Sequence, residues 1–394
     1  MSEKISLDSS VIMHNILLTT LHSGSLNVNA GGPALSMSLT LKGLEKAGVK
    51  TVALCEQIPS DGKLIAPDLN VRFTHSGKYG TFAYVDNIHE CLKKAVDVDI
   101  YHIHGTWMHH GLAISRYARK VEKPYVVSPR GMLYPQALAH HALLKKVMMK
   151  LYQKKVFAEA ACVQATCKEE MEYYRALGFK NPVAVLPNPI DINGVIDREI
   201  PKKPIFNVGY LGRLHPRKRV ERLIYAFNEL KRVKECRLVI IGGGDKAYQT
   251  FLEAEVKRLK IENVVEFTGF LTGKEKDDAI TGLSLLVVPS DFENFGNIVT
   301  EALVRGVPVI ASRGMPWQEL EEHHCGWWID NGQESINQTL LEAAALPNEK
   351  RMRMGVNGKR LMYENYSVEV LGKKMKRLYE WILHGGEKPE FVYE

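Results

Sequence analysis

Pro187 and Pro189 flank Asn188 near the middle of a sequence that otherwise alternates short apolar runs with longer helical patterns. Proline lacks the amide that a helix or a central strand needs, so neither element can run through this point. The interruption divides the chain into two halves of the same kind. In the first half, apolar runs predict strands over 14–19, 49–54, 99–104, 124–128 and 160–166. A loop over 20–32, rich in Ser, Asn and Gly, precedes a helix that Pro33 opens and Gly48 closes. In the second half the strands fall at 206–211, 237–241, 264–268, 285–289 and 307–311, and a basic, aromatic helix runs from about 368 to 383. Strand and helix in alternation imply parallel sheets covered on both faces. The expected fold is therefore α/β, with two Rossmann-like domains over 1–188 and 189–367 and a C-terminal helix and tail over 368–394.

Composition narrows the class of partner. With 394 residues, 45% apolar and 25% charged, the chain can bury large cores and is not of the disordered type. It holds no uninterrupted apolar run of the roughly 18 residues that a membrane-spanning helix needs. Residues 1–15 lack the basic, apolar and small-residue pattern of a secretory leader. Cys55, Cys91, Cys162, Cys167, Cys236 and Cys325 form no Cys-x-x-Cys pair and lie in apolar segments, which predicts reduced, mostly buried thiols in a cytoplasmic protein. The net charge of +7 suits a phosphorylated ligand, a nucleic acid or an anionic membrane. A noncatalytic basic protein binding nucleic acid would interleave aromatic residues with its cations on one face, a pattern absent here, so no nucleic-acid partner is expected.

Open parallel sheets bind ligands beyond the carboxyl ends of their strands. In the second half those ends carry Gly212-Arg213, Gly242-Gly243-Gly244, Gly269-Phe270, Ser290-Asp291 and Ser312-Arg313. The most informative segment runs from Glu293 to Glu301 through Asn294, Phe295, Gly296, Asn297, Ile298, Val299 and Thr300. Gly296 opens a helix there, and the free amides of a helix start can bind a diphosphate. Glu301 lies one turn inside that helix, within reach of a ligand, and Glu293 in the loop can meet a second polyol. The turn Gly212-Arg213-Leu214-His215-Pro216-Arg217-Lys218 supplies Arg213 and Lys218, two cations that can neutralise a diphosphate and stabilise it as it leaves.

These segments resemble the retaining glycosyltransferases of the family four type, the glycosyl transferases of group 1, which have the GT-B architecture. Glu293 and Glu301 match that family's Glu-x7-Glu motif, and Gly212, Arg213, Leu214 and Lys218 match its Gly-Arg-Leu-x-x-x-Lys turn. The resemblance extends over nearly the whole chain, through a glycine-bearing N-terminal loop, the Pro-Asn-Pro linker and a final helix that in this family packs back on the first domain. It implies that Arg213 and Lys218 hold the diphosphate of a UDP-, GDP- or ADP-sugar, that Glu301 binds the ribose and that Glu293 binds the transferred sugar. It further implies main-chain contacts from Asn294, Phe295, Gly296, Asn297, Ile298 and Val299, the base beside Phe270 and Leu271, and closure of the first domain through Gly31 and Gly32. The implied reaction retains anomeric configuration by front-face attack, with the leaving phosphate taking the acceptor proton. It needs no metal and no cofactor. Within the same architecture a nucleotide-sugar epimerase or a phosphorylase is the alternative.

One departure stands out. Where many members carry a histidine near the transferred sugar, this chain reads Ser128-Pro129-Arg130-Gly131, a variant found in one branch of the family. Arg130 occupies the place, and His104 at a neighbouring strand end is either a substitute catalytic histidine or a structural one. His102 shares a strand face with His104, but no third metal ligand is evident. Asp97-Val98-Asp99 precedes its strand and so lies at the wrong end of the sheet for a catalytic metal. The pairs His109-His110, His140-His141 and His323-His324 read as surface or lining residues, and Gly242-Gly243-Gly244-Asp245 lacks the dinucleotide fingerprint. Finally, Leu144, Val147, Met148, Leu151 and Tyr152 recur at helical spacing among Lys145, Lys146, Lys150, Lys154 and Lys155. That helix either faces the core with a solvated basic side or lies on an anionic membrane. The second reading would make the protein peripheral to the inner face of the cytoplasmic membrane, with a lipid-linked saccharide as acceptor.

Overall fold

The computed structural model describes residues 18–58, 62–95, 97–201, 203 and 205–394. Residues 14–17 of the first expected strand, and the 1–15 segment, lie outside the described residues. The first sheet contains β1 (Thr19–Ser23), β2 (Lys50–Glu56), β3 (Val71–Thr74), β4 (Ile100–His104), β5 (Tyr125–Ser128), β6 (Cys162–Ala165) and β7 (Val183–Val185). The second contains β8 (Phe206–Leu211), β9 (Cys236–Ile241), β10 (Val265–Gly269), β11 (Leu285–Val288), β12 (Val309–Ser312) and β13 (Gly326–Ile329). A last strand, β14 (Val392–Tyr393), returns to the first sheet and pairs antiparallel with β7. The strand orders are β14-β7-β6-β5-β4-β1-β2-β3 and β10-β9-β8-β11-β12-β13, and every other ladder is parallel. The chain is thus α/β with two Rossmann-like halves, as its alternation implies.

One strand differs from expectation in a way that matters for the site. Residues 20–23 were expected in a loop, but β1 occupies them and is buried along its whole length. Thr20, His22 and Ser23 make it read as a polar segment. It is a central strand because parallel ladders to β2 and β4 pair its backbone on both sides, and His22 bonds to His104 of β4. Strands β3, β7 and β13 were not anticipated either. They are three or four residues long, too short to carry a periodic signal.

Alternation along the strands sorts the two faces of the first sheet. Tyr101, Ile103, Val127 and Val163 point into one apolar cluster, together with Leu21 and Val52. Ile100, Val126 and Cys162 point into the other, under the helices Gly32–Lys46 and Val368–His384. These two helices touch through glycines. A Cβ built on Gly43 would stand 2.4 Å from the Val368 carbonyl oxygen, and one on Gly372 would stand 2.1 Å from that of Gly43. The absence of two side chains lets the backbones meet, and the ion pair of Lys46 with Glu369 lies beside the crossing. No helix among the described residues is long and apolar enough to cross a membrane. All six cysteines are free thiols, and all but Cys91 are buried.

The helix crossing yields a stability prediction. Gly43→Val and Gly372→Val should each lower the thermal unfolding midpoint, since forcing methyl groups into a filled contact costs about 1–3 kcal/mol. Circular dichroism melts would check this; unchanged midpoints in both variants would mean that the helices do not meet through these residues.

Candidate functional site

The carboxyl ends of the second sheet are locked to one another by backbone. Gly212 N donates to the Ile241 carbonyl at 3.0 Å, Leu214 N to Gly243 at 3.0 Å and Gly242 N to Gly269 at 2.9 Å. A Cβ on Gly242 would fall 2.0 Å from the Gly212 oxygen and one on Gly244 would fall 2.3 Å from the Leu214 oxygen, so these two glycines seat the Arg213 turn against its neighbour. Gly242 has a positive φ of 136°, which also favours glycine.

On that platform Arg213 is exposed. Lys218 closes a short 3-10 turn and forms an ion pair with Glu293, each side chain being only 12–13% exposed. Ser290 Oγ donates to the same Glu293 oxygen at 3.0 Å, and Glu293 N donates to the Gly314 carbonyl at 2.8 Å. Glu301 lies in the helix Asn297–Leu303 and pairs with Lys276 of the helix Gly273–Thr281. Gly296, with φ 81°, caps the first of these helices, so the amides of Asn297 and Ile298 lack partners within the helix. Phe295 and Val299 turn their side chains into the core. Trp317 Nε1 donates to the Phe295 carbonyl at 2.5 Å, and Val299 N to Gly296 O at 2.9 Å. Phe270, 76% exposed, stands at the end of β10, with Leu271 packed against the core beside it.

The opposite wall comes from the first sheet. Arg130 and Gly131 both adopt positive φ, 56° and 78°, in a tight turn after β5. The buried Glu170 carboxylate secures this turn, accepting from Gly131 N at 2.5 Å and Thr166 N at 2.7 Å. The two walls meet here. A Cβ on Gly131 would touch that of Asn294 at 2.8 Å. Arg130 donates one guanidinium nitrogen to Asn188 Oδ1, Asn188 Nδ2 donates to Asn297 Oδ1 at 2.9 Å, and Asn297 Nδ2 donates to the Gly32 carbonyl at 3.5 Å. Gly31, with φ 67°, precedes the helix Gly32–Lys46 at this junction. Burial lowers the Arg130 pKa to about 10.

Behind Arg130 lies a buried cluster of three histidines. The parallel register of β1 and β4 sets His22 beside His102, and ring nitrogens of His22, His102 and His104 converge within 4.8 Å of one another. This supplies the third histidine that was not evident in the sequence. The cluster is nonetheless ill suited to a cation. His104 Nδ1 faces Arg130 at 2.9 Å, His104 Nε2 faces His22 Nδ1 at 3.0 Å, and His102 lies between Tyr379 Oη and Ser128 Oγ at 2.6 Å each. A neutral imidazole has one nitrogen lone pair, and here each is engaged, next to a fixed positive charge. Burial, reinforced by Arg130, pushes the His22 pKa down to about 3 and those of His102 and His104 well below the usual value.

Arg130 and His104 also line a cavity of about 390 Å³ at the carboxyl edge of the first sheet, with Met37, Met108, Met132 and Ile58 among its apolar walls. Asp99 stands at the other end of its strand, where it accepts from Thr19 N at 2.9 Å and pairs with Lys123 at 3.5 Å. The basic helical stretch is divided in its role. Met148, Met149 and Tyr152 pack on the core, while Leu143, Leu144, Val147 and Leu151 are 45–78% exposed. Lys146, Lys150, Lys154 and Lys155 are exposed as well, and Lys145 reaches back to the Ala137 carbonyl.

The structure thus gathers Arg213, Lys218, Glu293, Glu301 and the 294–299 segment on one wall, and Arg130, His104, Gly31 and Gly32 on the other. Sequence reasoning passed over Lys276, Asn188, Glu170 and His22. The signal for Asn188 was its place between two prolines, and that for His22 was its spacing of two from Thr20 in a strand read as a loop. Lys276 and Glu170 lie on helices, and nothing in their local pattern separates them from solvated residues.

The family profile described as "Glycosyl transferases group 1" matches residues 197–361, and that described as "Glycosyl transferase 4-like domain" matches residues 31–189. Among curated relatives, an uncharacterized glycosyltransferase of Methanocaldococcus jannaschii is 28% identical over 177 residues, 43% of this chain and 44% of that protein. A GDP-mannose-dependent alpha-mannosyltransferase of Mycobacterium tuberculosis is 32% identical over 162 residues, 40% of this chain and 38% of that protein. The chain therefore spans less than half the length of these relatives. In fold it is similar to sucrose-phosphate synthase from Thermosynechococcus elongatus, with a TM-score of 0.76, 17% identity and coverage of 94% of this chain and 100% of the other. It is likewise similar to Anabaena HepE in complex with UDP-glucose, with a TM-score of 0.71, 18% identity and coverage of 92% and 99%.

The Lys218–Glu293 pair generates a prediction that treats the two residues oppositely. Lys218→Ala should weaken binding of a bare nucleoside diphosphate by roughly ten- to hundredfold, the value of a charged hydrogen bond. Glu293→Gln removes the internal counter-charge of Lys218 and should leave that binding unchanged or tighter. Calorimetric titration with UDP, GDP and ADP checks both; equal weakening in the two variants would contradict the assignment.

Proposed function

The chain belongs to the glycosyl transferases of group 1 and has their GT-B architecture, and on that premise we propose that it moves a sugar from a nucleoside diphosphate to an acceptor hydroxyl with retention of anomeric configuration. The observation that carries this reading is the convergence of Arg213, the Lys218–Glu293 pair and the helix start after Gly296 on a crevice closed from the other side by Arg130 and Gly32. Arg213, Lys218 and the free amides form an anion site for the diphosphate. Glu301 receives the ribose, Glu293 the transferred sugar, and the exposed Phe270 with Leu271 flanks the base.

In the reaction the bond from the anomeric carbon to the phosphate oxygen breaks and that carbon bonds to the acceptor oxygen. The acceptor proton passes to the departing phosphate. Two features support this route over a protein base. Arg130 is a pure donor, and both nitrogens of His104 are engaged. Arg213 and Lys218 carry the positive charge that a divalent cation supplies elsewhere, so transfer runs without one.

The methionine-lined cavity beside Arg130 is the acceptor side of this reading, and a saccharide carried on a lipid is the acceptor it favours, such as a precursor of a cell-surface polysaccharide or lipopolysaccharide. The exposed Leu143, Leu144, Val147 and Leu151 among exposed lysines support docking on the anionic inner face of the cytoplasmic membrane. Each lysine near such a surface contributes about 1 kcal/mol.

Two experiments test the proposal. A thermal-shift screen against UDP-, GDP- and ADP-sugars, followed by a transfer assay in excess EDTA, should find one stabilising donor class and metal-independent turnover. Arg213→Ala should then lower kcat by about 10²–10³, as loss of a preorganised donor to developing charge does. No stabilising donor, or strict dependence on added manganese or magnesium, would overturn the reading. For the surface, anionic liposomes should sediment the protein at low salt, and replacing Lys146, Lys150 and Lys154 by Glu should release it; binding indifferent to these changes would leave a soluble acceptor as the better account.

A further inference from the structure

The hydrogen bonds behind Arg130 have a direction that the chemistry of one group imposes. A guanidinium only donates. Arg130 therefore donates to His104 Nδ1, across 2.9 Å, and the His104 proton must be on Nε2. Nε2–H then donates to His22 Nδ1 at 3.0 Å, which places the His22 proton on its own Nε2, facing Thr20 Oγ1 at 3.2 Å and Tyr379 Oη at 3.5 Å.

From the other end, Ser128 Oγ donates to Gln164 Oε1, and Gln164 Nε2 donates to the Leu186 carbonyl at 2.5 Å. Ser128 must accordingly accept from His102 Nε2–H at 2.6 Å, and His102 Nδ1 must accept from the Tyr379 hydroxyl, also at 2.6 Å. Every proton in the chain points the same way, from Arg130 to the linker carbonyl of Leu186. All the residues between are buried. Tyr379 belongs to the C-terminal helix Val368–His384, so the link between His22 and His102 passes through an element distant in sequence.

We propose that His104, backed by His22 and by Tyr379 of the C-terminal helix, is a positioning residue that holds the Arg130 guanidinium toward the crevice through its Nδ1 lone pair. The second arm of Arg130, through Asn188 to Asn297, reaches the 293–301 segment. The C-terminal helix thus acts on the site through the orientation of Arg130, and removing one link frees the next ring to turn. That Arg130 faces a sugar donor rests on the function proposed above; the proton arrangement does not.

Two experiments separate these. In protein labelled with nitrogen-15 histidine, the resonances of His22, His102 and His104, assigned by single substitutions, should show three neutral rings protonated on Nε2 near neutral pH. A His104 protonated on Nδ1, or on both nitrogens, overturns the proposal whatever the activity. The second compares His104→Asn, whose Oδ1 takes the place of Nδ1, with His104→Gln, whose amide takes the place of Nε2. His104→Asn should keep kcat within a few-fold of the parent. His104→Gln should lose roughly ten- to hundredfold in kcat with KM little changed, the value of a hydrogen bond to a charged group, and Tyr379→Phe, which removes a bond between neutral groups, should lose roughly two- to tenfold. Equal losses in the Asn and Gln variants, with both folded, would show that Nδ1 is not what matters. If the parent transfers no sugar from any donor, the function reading falls and the ring protonation still decides this one.

Discussion

The guanidinium of Arg130 is the group on which the two halves of the molecule agree. It is half-buried at the carboxyl ends of the first sheet and can satisfy its nitrogens only by donating. One arm goes inward to His104, and the other goes across to Asn188 and through it to Asn297 in the second half. A buried charge is tolerated only when it is paired or well hydrogen-bonded. The Glu170 carboxylate, whose charge favours the guanidinium, is itself engaged by Gly131 N and Thr166 N. The charge is therefore met by neutral acceptors: an imidazole lone pair and an amide oxygen. This accounts for the polar character of the carboxyl half of one sheet face. His22, His102, His104, Ser128 and Gln164 occupy it, while Leu18, Ile100, Val126 and Cys162 make the amino half of the same face largely apolar under the C-terminal helix.

The other wall of the crevice solves a different electrostatic problem. A site for a diphosphate must hold cations close together when no ligand is bound. Lys218 and Lys276 are each held by a glutamate, Glu293 and Glu301, and these are the acidic residues that the resemblance assigns to sugar hydroxyls. An arriving donor would thus meet counter-charged pairs already positioned. On the proposed function, its phosphates would replace Glu293 as the partner of Lys218, and the freed carboxylate would accept from sugar hydroxyls. The turn that carries Lys218 is fixed by the Gly212, Leu214 and Gly242 backbone bonds, and Glu293 by the bond of its own amide to the Gly314 carbonyl.

Much of this was legible in the sequence, and the parts that were not share a cause. The two-domain α/β plan and the 293–301 segment are visible because apolar periodicity and glycine placement report on local structure. The linker is visible because proline excludes alternatives. The position of β1 was misread because its side chains, Thr20, His22 and Ser23, are polar and buried, and periodicity detects burial only through apolar residues. Once β1 is misplaced, His22 cannot be put beside His102, and the cluster behind Arg130 disappears from view. The lysine partners of Glu293 and Glu301 were missed or assigned separately for a related reason. Lys218 and Glu293 are 75 positions apart and meet only through the order of β8 and β11 in the sheet. Pairings set by topology leave no local trace.

On the proposed function, a nucleotide-activated sugar lies between Arg130 and the Arg213–Lys218 turn. A crystal structure of the protein with a bound nucleotide sugar tests it most directly. The phosphates should lie within hydrogen-bonding distance of Arg213, Lys218 and the amides after Gly296, with the base against Phe270 and the sugar between Glu293 and Arg130. A donor bound with its diphosphate away from Arg213 and Lys218, or with its sugar turned from Arg130, would contradict it.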